Sequence, residues 1–184
     1  TVDEARKGGI QIGYMRGVGS GGHAMTGSYG MPLRDSGEMV LTSDYGVRHI
    51  SNGSSDHKGI DLRAARGTDV YGTEQDGIVI AKGFQPRQSN GKAGGGNYIY
   101  VAYPRPDGSY VVTGYLHLDK TYVDVGYAVT PETVIGQSGN TGGVADHLDF
   151  RVCEVRGEAA ETLREQISED SIQFSRSEEH TSEL

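Results

Sequence analysis

The stretch Asn97-Tyr-Ile-Tyr-Val-Ala-Tyr-Pro-Arg-Pro-Asp-Gly-Ser-Tyr-Val-Val-Thr-Gly-Tyr-Leu116 decides the fold. Its two arms, residues 97–103 and 110–116, are runs of aromatic and β-branched residues that favour extended backbone. Between them, Pro104-Arg-Pro-Asp-Gly-Ser109 is turn chemistry, because Pro presets φ and Gly tolerates positive φ. Two such runs joined by such a turn predict an antiparallel hairpin.

The same texture extends outward. Met39-Val-Leu-Thr, Asp69-Val-Tyr, Gly77-Ile-Val-Ile-Ala81 and His147-Leu-Asp-Phe-Arg-Val-Cys-Glu-Val155 are short strand-like runs separated by turn residues. Several alternate with period two, as half-buried strands do. The chain has 184 residues with 29 Gly and 11 Tyr against 3 Phe and no Trp, a bias toward short strands and tight turns over helix bundles. Asn90-Gly-Lys-Ala-Gly-Gly-Gly96 reads as a flexible loop. Helix formers gather only in Glu158-Ala-Ala-Glu-Thr-Leu-Arg-Glu-Gln-Ile167, a terminal helix or the start of a linker.

These textures divide the chain. Residues 1–38 are Gly-rich and poorly periodic, and read as a linker or the end of an upstream region. Residues 39–157 form the β-rich domain, and 158–175 the helix or linker. Residues 176–184 resemble the conceptual translation of a common sequencing adapter and are set aside with His180. The chain starts at Thr1, so it is expected to be one module of a larger protein whose export signal lies elsewhere. No run approaches the roughly 18 apolar residues of a membrane span. A net charge of −8 argues against a nucleic-acid partner. The lone Cys153 makes no disulfide and is expected as a small buried side chain.

Three segments carry candidate chemistry. Asp56-His-Lys-Gly-Ile-Asp-Leu62 places His57 and Asp61 four residues apart, with an imidazole nitrogen and a carboxylate oxygen that both suit zinc. In Gly114-Tyr-Leu-His-Leu118, His117 ends an apolar strand. In Asp146-His-Leu-Asp-Phe150, His147 and Asp149 share one strand face while Leu148 and Phe150 face the opposite way into a core. Each segment alone has a plain structural reading: a loop hydrogen bond, a strand-end His, a solvated face. Together they supply metal ligands and acid/base groups on rigid elements.

In this order the segments resemble the lysostaphin/LytM-type zinc endopeptidases. Thr42-Ser-Asp-Tyr-Gly-Val-Arg48 is similar to the family's first strand with its Gly-x-Arg. His57-Lys-Gly-Ile-Asp61 is similar to its His-x-x-x-Asp metal motif. Arg66-Gly-Thr-Asp-Val-Tyr-Gly72, Asp76-Gly-Ile-Val79 and Gly96-Asn-Tyr-Ile99 follow its next strands. Tyr115-Leu-His-Leu118, Val123-Asp-Val-Gly-Tyr-Ala-Val129 and Val134-Ile-Gly-Gln-Ser-Gly-Asn-Thr-Gly142 complete the series.

The resemblance implies an all-β domain, mostly an antiparallel sheet with a groove, of the duplicated-hybrid-motif, barrel-sandwich type. It implies Zn2+ as cofactor, peptidoglycan peptides as substrate, and an extracellular, periplasmic, cell-envelope or phage-borne setting. His57 and Asp61 are the implied metal ligands. His117 and His147 are the implied catalytic groups beside the reacting water and substrate carbonyl. Tyr115 and Arg48 are candidates for lining the substrate groove.

The family ends its site with His-x-His, whereas this chain has His147-Leu-Asp149, so Asp149 stands where the third metal ligand is expected. Asp is itself a competent ligand, but two carboxylates make the site less positive and harder, which shifts preference toward other divalent metals. Two readings therefore stand: an active metal-dependent endopeptidase, or an inactive domain of the same fold that binds cell wall or regulates a partner. A plain structural β domain would leave the ordered matches unexplained.

Overall fold

A computed structural model of the chain describes residues 31–34, 41–43, 46–47, 56–57 and 59–172. The strands are β1 (Leu41–Ser43), β2 (Gly46–Val47), β3 (Asp56–His57), β4 (Ile60–Leu62), β5 (Asp69–Tyr71), β6 (Gly77–Gln85), β7 (Gly96–Pro104), β8 (Tyr110–Leu118), β9 (Lys120–Thr121), β10 (Ala128–Val129), β11 (Val134–Gln137) and β12 (Leu148–Val155). The helix α1 (Gly157–Ser168) follows β12 directly. Seven strands form an antiparallel sheet in the order β1-β4-β12-β8-β7-β6-β10, β5-β11-β9 form a second sheet, and β2 pairs with β3. Among the described residues no helix is long and apolar enough to cross a membrane.

The predicted hairpin is β7–β8, with Val101 opposite Thr113 and Pro104 opposite Tyr110. The Arg105 amide donates to the Ser109 carbonyl at 2.8 Å, and Gly108 takes φ +86° to close the turn. The central strands differ from the half-buried expectation because both faces of the sheet are covered. One face carries Ile99, Val101, Tyr103, Tyr115, Phe150 and Val152 and packs with Val70 and Ile135 of the small sheet. The other carries Tyr100, Ala102, Val112, Cys153 and Val155 and packs under Ala160 and Leu163 of α1. The terminal helix is therefore part of the domain core, and Cys153 is buried as expected.

The Gly-rich loop before β7 is better tied than its composition predicts. The Gly94 amide donates to the Gly142 carbonyl at 3.0 Å, and the His117 amide donates to the Gly95 carbonyl at 2.8 Å. The Gly95 amide donates to Oε1 of Gln85 at 2.9 Å. Small residues allow this close approach, and the partners lie far along the sequence, where local composition carries no trace of them.

Candidate active site

Four predicted residues meet where β4, β12 and the end of β8 lie side by side. Asp61 on β4 stands directly opposite Asp149 on β12. His147, just before β12, forms an isolated bridge with Gly139 and places its Nε2 3.3 Å from Oδ1 of Asp61. His117 places its Nε2 3.9 Å from Oδ2 of Asp149, and the two imidazole rings lie 4.9 Å apart. Leu148 and Phe150 point into the core, as the period-two reading requires.

His117 reaches this group through a backbone irregularity. Strict alternation would send it to the side of Tyr115, away from Asp149. Instead the pairing slips between Asn97 and Ile99 of β7, and His117 adopts φ +62°. A bulge of this kind re-aims a side chain. Beyond it Leu118 rejoins the core face that holds Tyr115.

Both rings are oriented by backbone carbonyls. His117 Nδ1 is 2.8 Å from the Thr141 carbonyl, and His147 Nδ1 is 2.7 Å from the Ala145 carbonyl. A ring N–H donating to each carbonyl leaves Nε2 of each ring for the site. Thr141 is itself pinned, since its hydroxyl donates to the Leu118 carbonyl at 2.8 Å and accepts from the Asn97 amide at 3.0 Å. Thr141 lay inside a quoted motif, but nothing local marked it as the residue that orients His117.

The two histidines are driven apart electrostatically. Burial pushes the His117 pKa below its ordinary value, and the nearby Asp149 carboxylate opposes this without prevailing. Burial also acts to lower His147, but its hydrogen bond to Asp61, with the Ala145 carbonyl and both carboxylates, raises it instead. The folded state therefore favours neutral His117, so that stability contribution is present above the unfolded value of about 6.5 and is lost as pH falls toward the depressed folded pKa. His147 contributes stability that is full below about 6.5 and is lost as pH rises through its elevated folded pKa. In metal-free protein, His117→Gln is expected to flatten the acid-side fall in urea midpoint, and His147→Gln the fall on the alkaline side. Indistinguishable midpoint-against-pH curves for the two variants would refute this assignment.

Other expectations fare differently. Tyr115 lies in the core rather than along a groove: it is fully buried, its hydroxyl donates to the Tyr71 carbonyl at 3.1 Å, and its ring packs on Phe150. The backbone of His57 pairs with Gly46 between β3 and β2. The His57 side chain and all of Arg48 lie outside the described residues.

One residue was missed. Arg151 directs Nε to Oδ1 of Asp149 at 3.4 Å and Nη2 to Oδ2 at 3.3 Å. Spacing of two along β12 was the available signal for a shared face.

The donor types, an imidazole at 57 and carboxylates at 61 and 149, fit a divalent metal such as zinc. The fit is qualified in one respect, because the third donor already faces a guanidinium. Among the described residues alone, no three His, Cys, Asp or Glu side chains are grouped to hold a metal.

Residues 55–161 match the sequence model of Peptidase family M23. This chain belongs to peptidase family M23. Its M23 domain is similar to a zinc-containing peptidase from Vibrio cholerae, at 28% identity and a TM-score of 0.56 over 69% of this chain and 37% of that one. The chain thus spans little more than a third of that peptidase. It is similar to the catalytic domain of the antimicrobial peptidase lysostaphin from Staphylococcus simulans, at 30% identity and a TM-score of 0.52 over 66% of this chain and 85% of that one. It is also similar to LytU, at 25% identity and a TM-score of 0.52 over 78% of this chain and 98% of that one. A search of curated proteins returned no significant match. The lysostaphin/LytM-type resemblance and the mostly antiparallel β fold both hold.

Proposed function

We propose that the M23 domain is a metal-dependent endopeptidase that hydrolyses peptide bonds in bacterial peptidoglycan. The observation that carries this reading is the histidine pair: two rings 4.9 Å apart, each anchored through Nδ1 to a carbonyl and each presenting Nε2 beside a carboxylate. A core or solvated pair would not need such matched anchoring. His57, Asp61 and Asp149 would hold the metal. When bound, a divalent ion there would polarise the scissile carbonyl and acidify water.

The remaining chemistry belongs to the chain. Neutral His117, with Nδ1–H committed to Thr141, offers its Nε2 lone pair to take a proton from the attacking water. His147, held against Asp61, would hydrogen-bond through Nε2–H to the developing oxyanion, and the proton taken up by His117 passes to the leaving amine. The bulge at His117 and the Gly139 bridge at His147 hold both rings on the ordered backbone, which limits the loss of geometry during turnover. The substrate lies outside the cytoplasmic membrane, so the reading puts the domain at the cell envelope.

The Asp149–Arg151 contact favours a second reading, a domain of the same fold that binds wall peptides or a partner protein without cutting. Equilibrium dialysis of the full chain against zinc, with elemental analysis, separates the two. The peptidase reading expects about one zinc per chain. A wild type that stays metal-free even at saturating free zinc, beside a zinc-loaded Asp149→His variant, would overturn it in favour of binding.

A further inference from the structure

β12 and β4 place two carboxylates, Asp149 and Asp61, in direct cross-strand register. Like charges so placed repel. Little solvent screens them, since their side chains are 6% and 14% exposed. Arg151 supplies the compensating charge on the Asp149 side, with its fork spread over both carboxylate oxygens.

The arginine stem is closely packed between Gly114 and Gly59, glycines that also make room for Tyr100 and Asp149. Gly114 of β8 is its direct partner, where a Cβ would stand 3.3 Å from the Arg151 Cβ. On the other side, a Cβ at Gly59 would stand 2.8 Å from Arg151 Cγ. The side chain is 11% exposed, so the guanidinium is packed in place rather than waving in water.

We propose that Arg151 is a resident counter-cation for Asp149 that a divalent metal ion must displace, so that this chain holds its metal weakly and loads it only where free metal is plentiful. The inference rests on the metal-peptidase reading and deepens it. Metal and guanidinium compete for the same two oxygens. Arginine does not lose its proton in proteins, so it has to swing aside. Its fixed charge also opposes an incoming dication across a poorly screened gap.

The test is zinc affinity of the full chain, measured by competition with a chromophoric chelator at fixed pH. Arg151→Gln is expected to bind zinc at least about tenfold more tightly than wild type, equivalent to ~1.4 kcal/mol. Arg151→Lys keeps the charge and is expected to stay within about threefold of wild type. In an Asp149→Asn background, Arg151→Gln is expected to change affinity by less than about twofold, since the pair is already broken.

Wild-type protein gives an independent readout that needs no variant: the Arg151 Nε–H resonance is expected to shift as zinc saturates the site. Equal or weaker affinity in Arg151→Gln, or an Nε–H resonance unmoved by saturating zinc, overturns the inference while leaving the peptidase reading standing. Absence of zinc binding in wild type and in every Arg151 variant overturns both.

Discussion

Replacing His117 with alanine is expected to lower kcat/KM toward purified peptidoglycan by about 10²–10⁴-fold, the range typical of losing a positioned proton acceptor. Both rings have Nδ1 taken by a backbone carbonyl, but burial prevails against the charged form at His117 alone, so its Nε2 is the acceptor of the pair. The His147→Ala change is expected to fall in the same range. Because the rings act on one reaction, the double variant is expected to lose little more than either single one. Release of free amino groups from cell-wall material measures turnover, and far-UV circular dichroism checks that the fold survives. Full activity in either single variant would refute the role given to that histidine.

The second large effect is at Gly59, one residue before β4. Its conformation is one that any residue can adopt, so only space is at issue. A Cβ there would overlap Oδ1 of Asp149 and stand 2.9 Å from the Phe150 carbonyl. The carbonyl belongs to the β12 backbone that pairs with β4, so it has no room to yield without parting the strands. Gly59→Ala is expected to destabilise the domain by ~1–3 kcal/mol, the usual cost of overpacking, and to abolish turnover by moving Asp149. Gly67 is the control. It has φ +87° but open space around it, so Gly67→Ala is expected to cost only the left-handed backbone penalty, about 1–2 kcal/mol, and to leave activity intact. Urea midpoints and peptidoglycan turnover together decide the matter. A Gly59→Ala protein with wild-type turnover would contradict the packing argument.

Much of the fold was legible because its signals are local. β5 occupies the Asp69–Tyr71 run, and the Pro-Arg-Pro-Asp-Gly turn closes the β7–β8 hairpin. The Leu148 and Phe150 alternation put Asp149 on the opposite sheet face from those two core residues, although that face is covered as well. What escaped reading depends on partners distant in sequence. Alternation along β7 cannot say whether α1 covers its second face. Tyr115 was a groove candidate through the resemblance alone, and its hydroxyl partner, the Tyr71 carbonyl, lies on another sheet where spacing along β8 carries no trace of it. The side His117 faces is not legible from alternation, because a single left-handed residue breaks the pattern and no neighbouring Gly or Asn marks it. Arg151 was passed over because spacing shows which residues share a face, not which of them claims a carboxylate.

The bulge at His117 also bears on how the domain would respond to selection. A histidine at φ +62° holds a backbone state that glycine enters freely and most other residues enter at a cost of ~1–2 kcal/mol. Thermal hardening of this chain would therefore reward glycine at position 117, and that reward would come at the expense of the ring that faces Asp149. Heat tolerance and turnover pull in opposite directions at this one residue, a local case of the stability–activity trade-off.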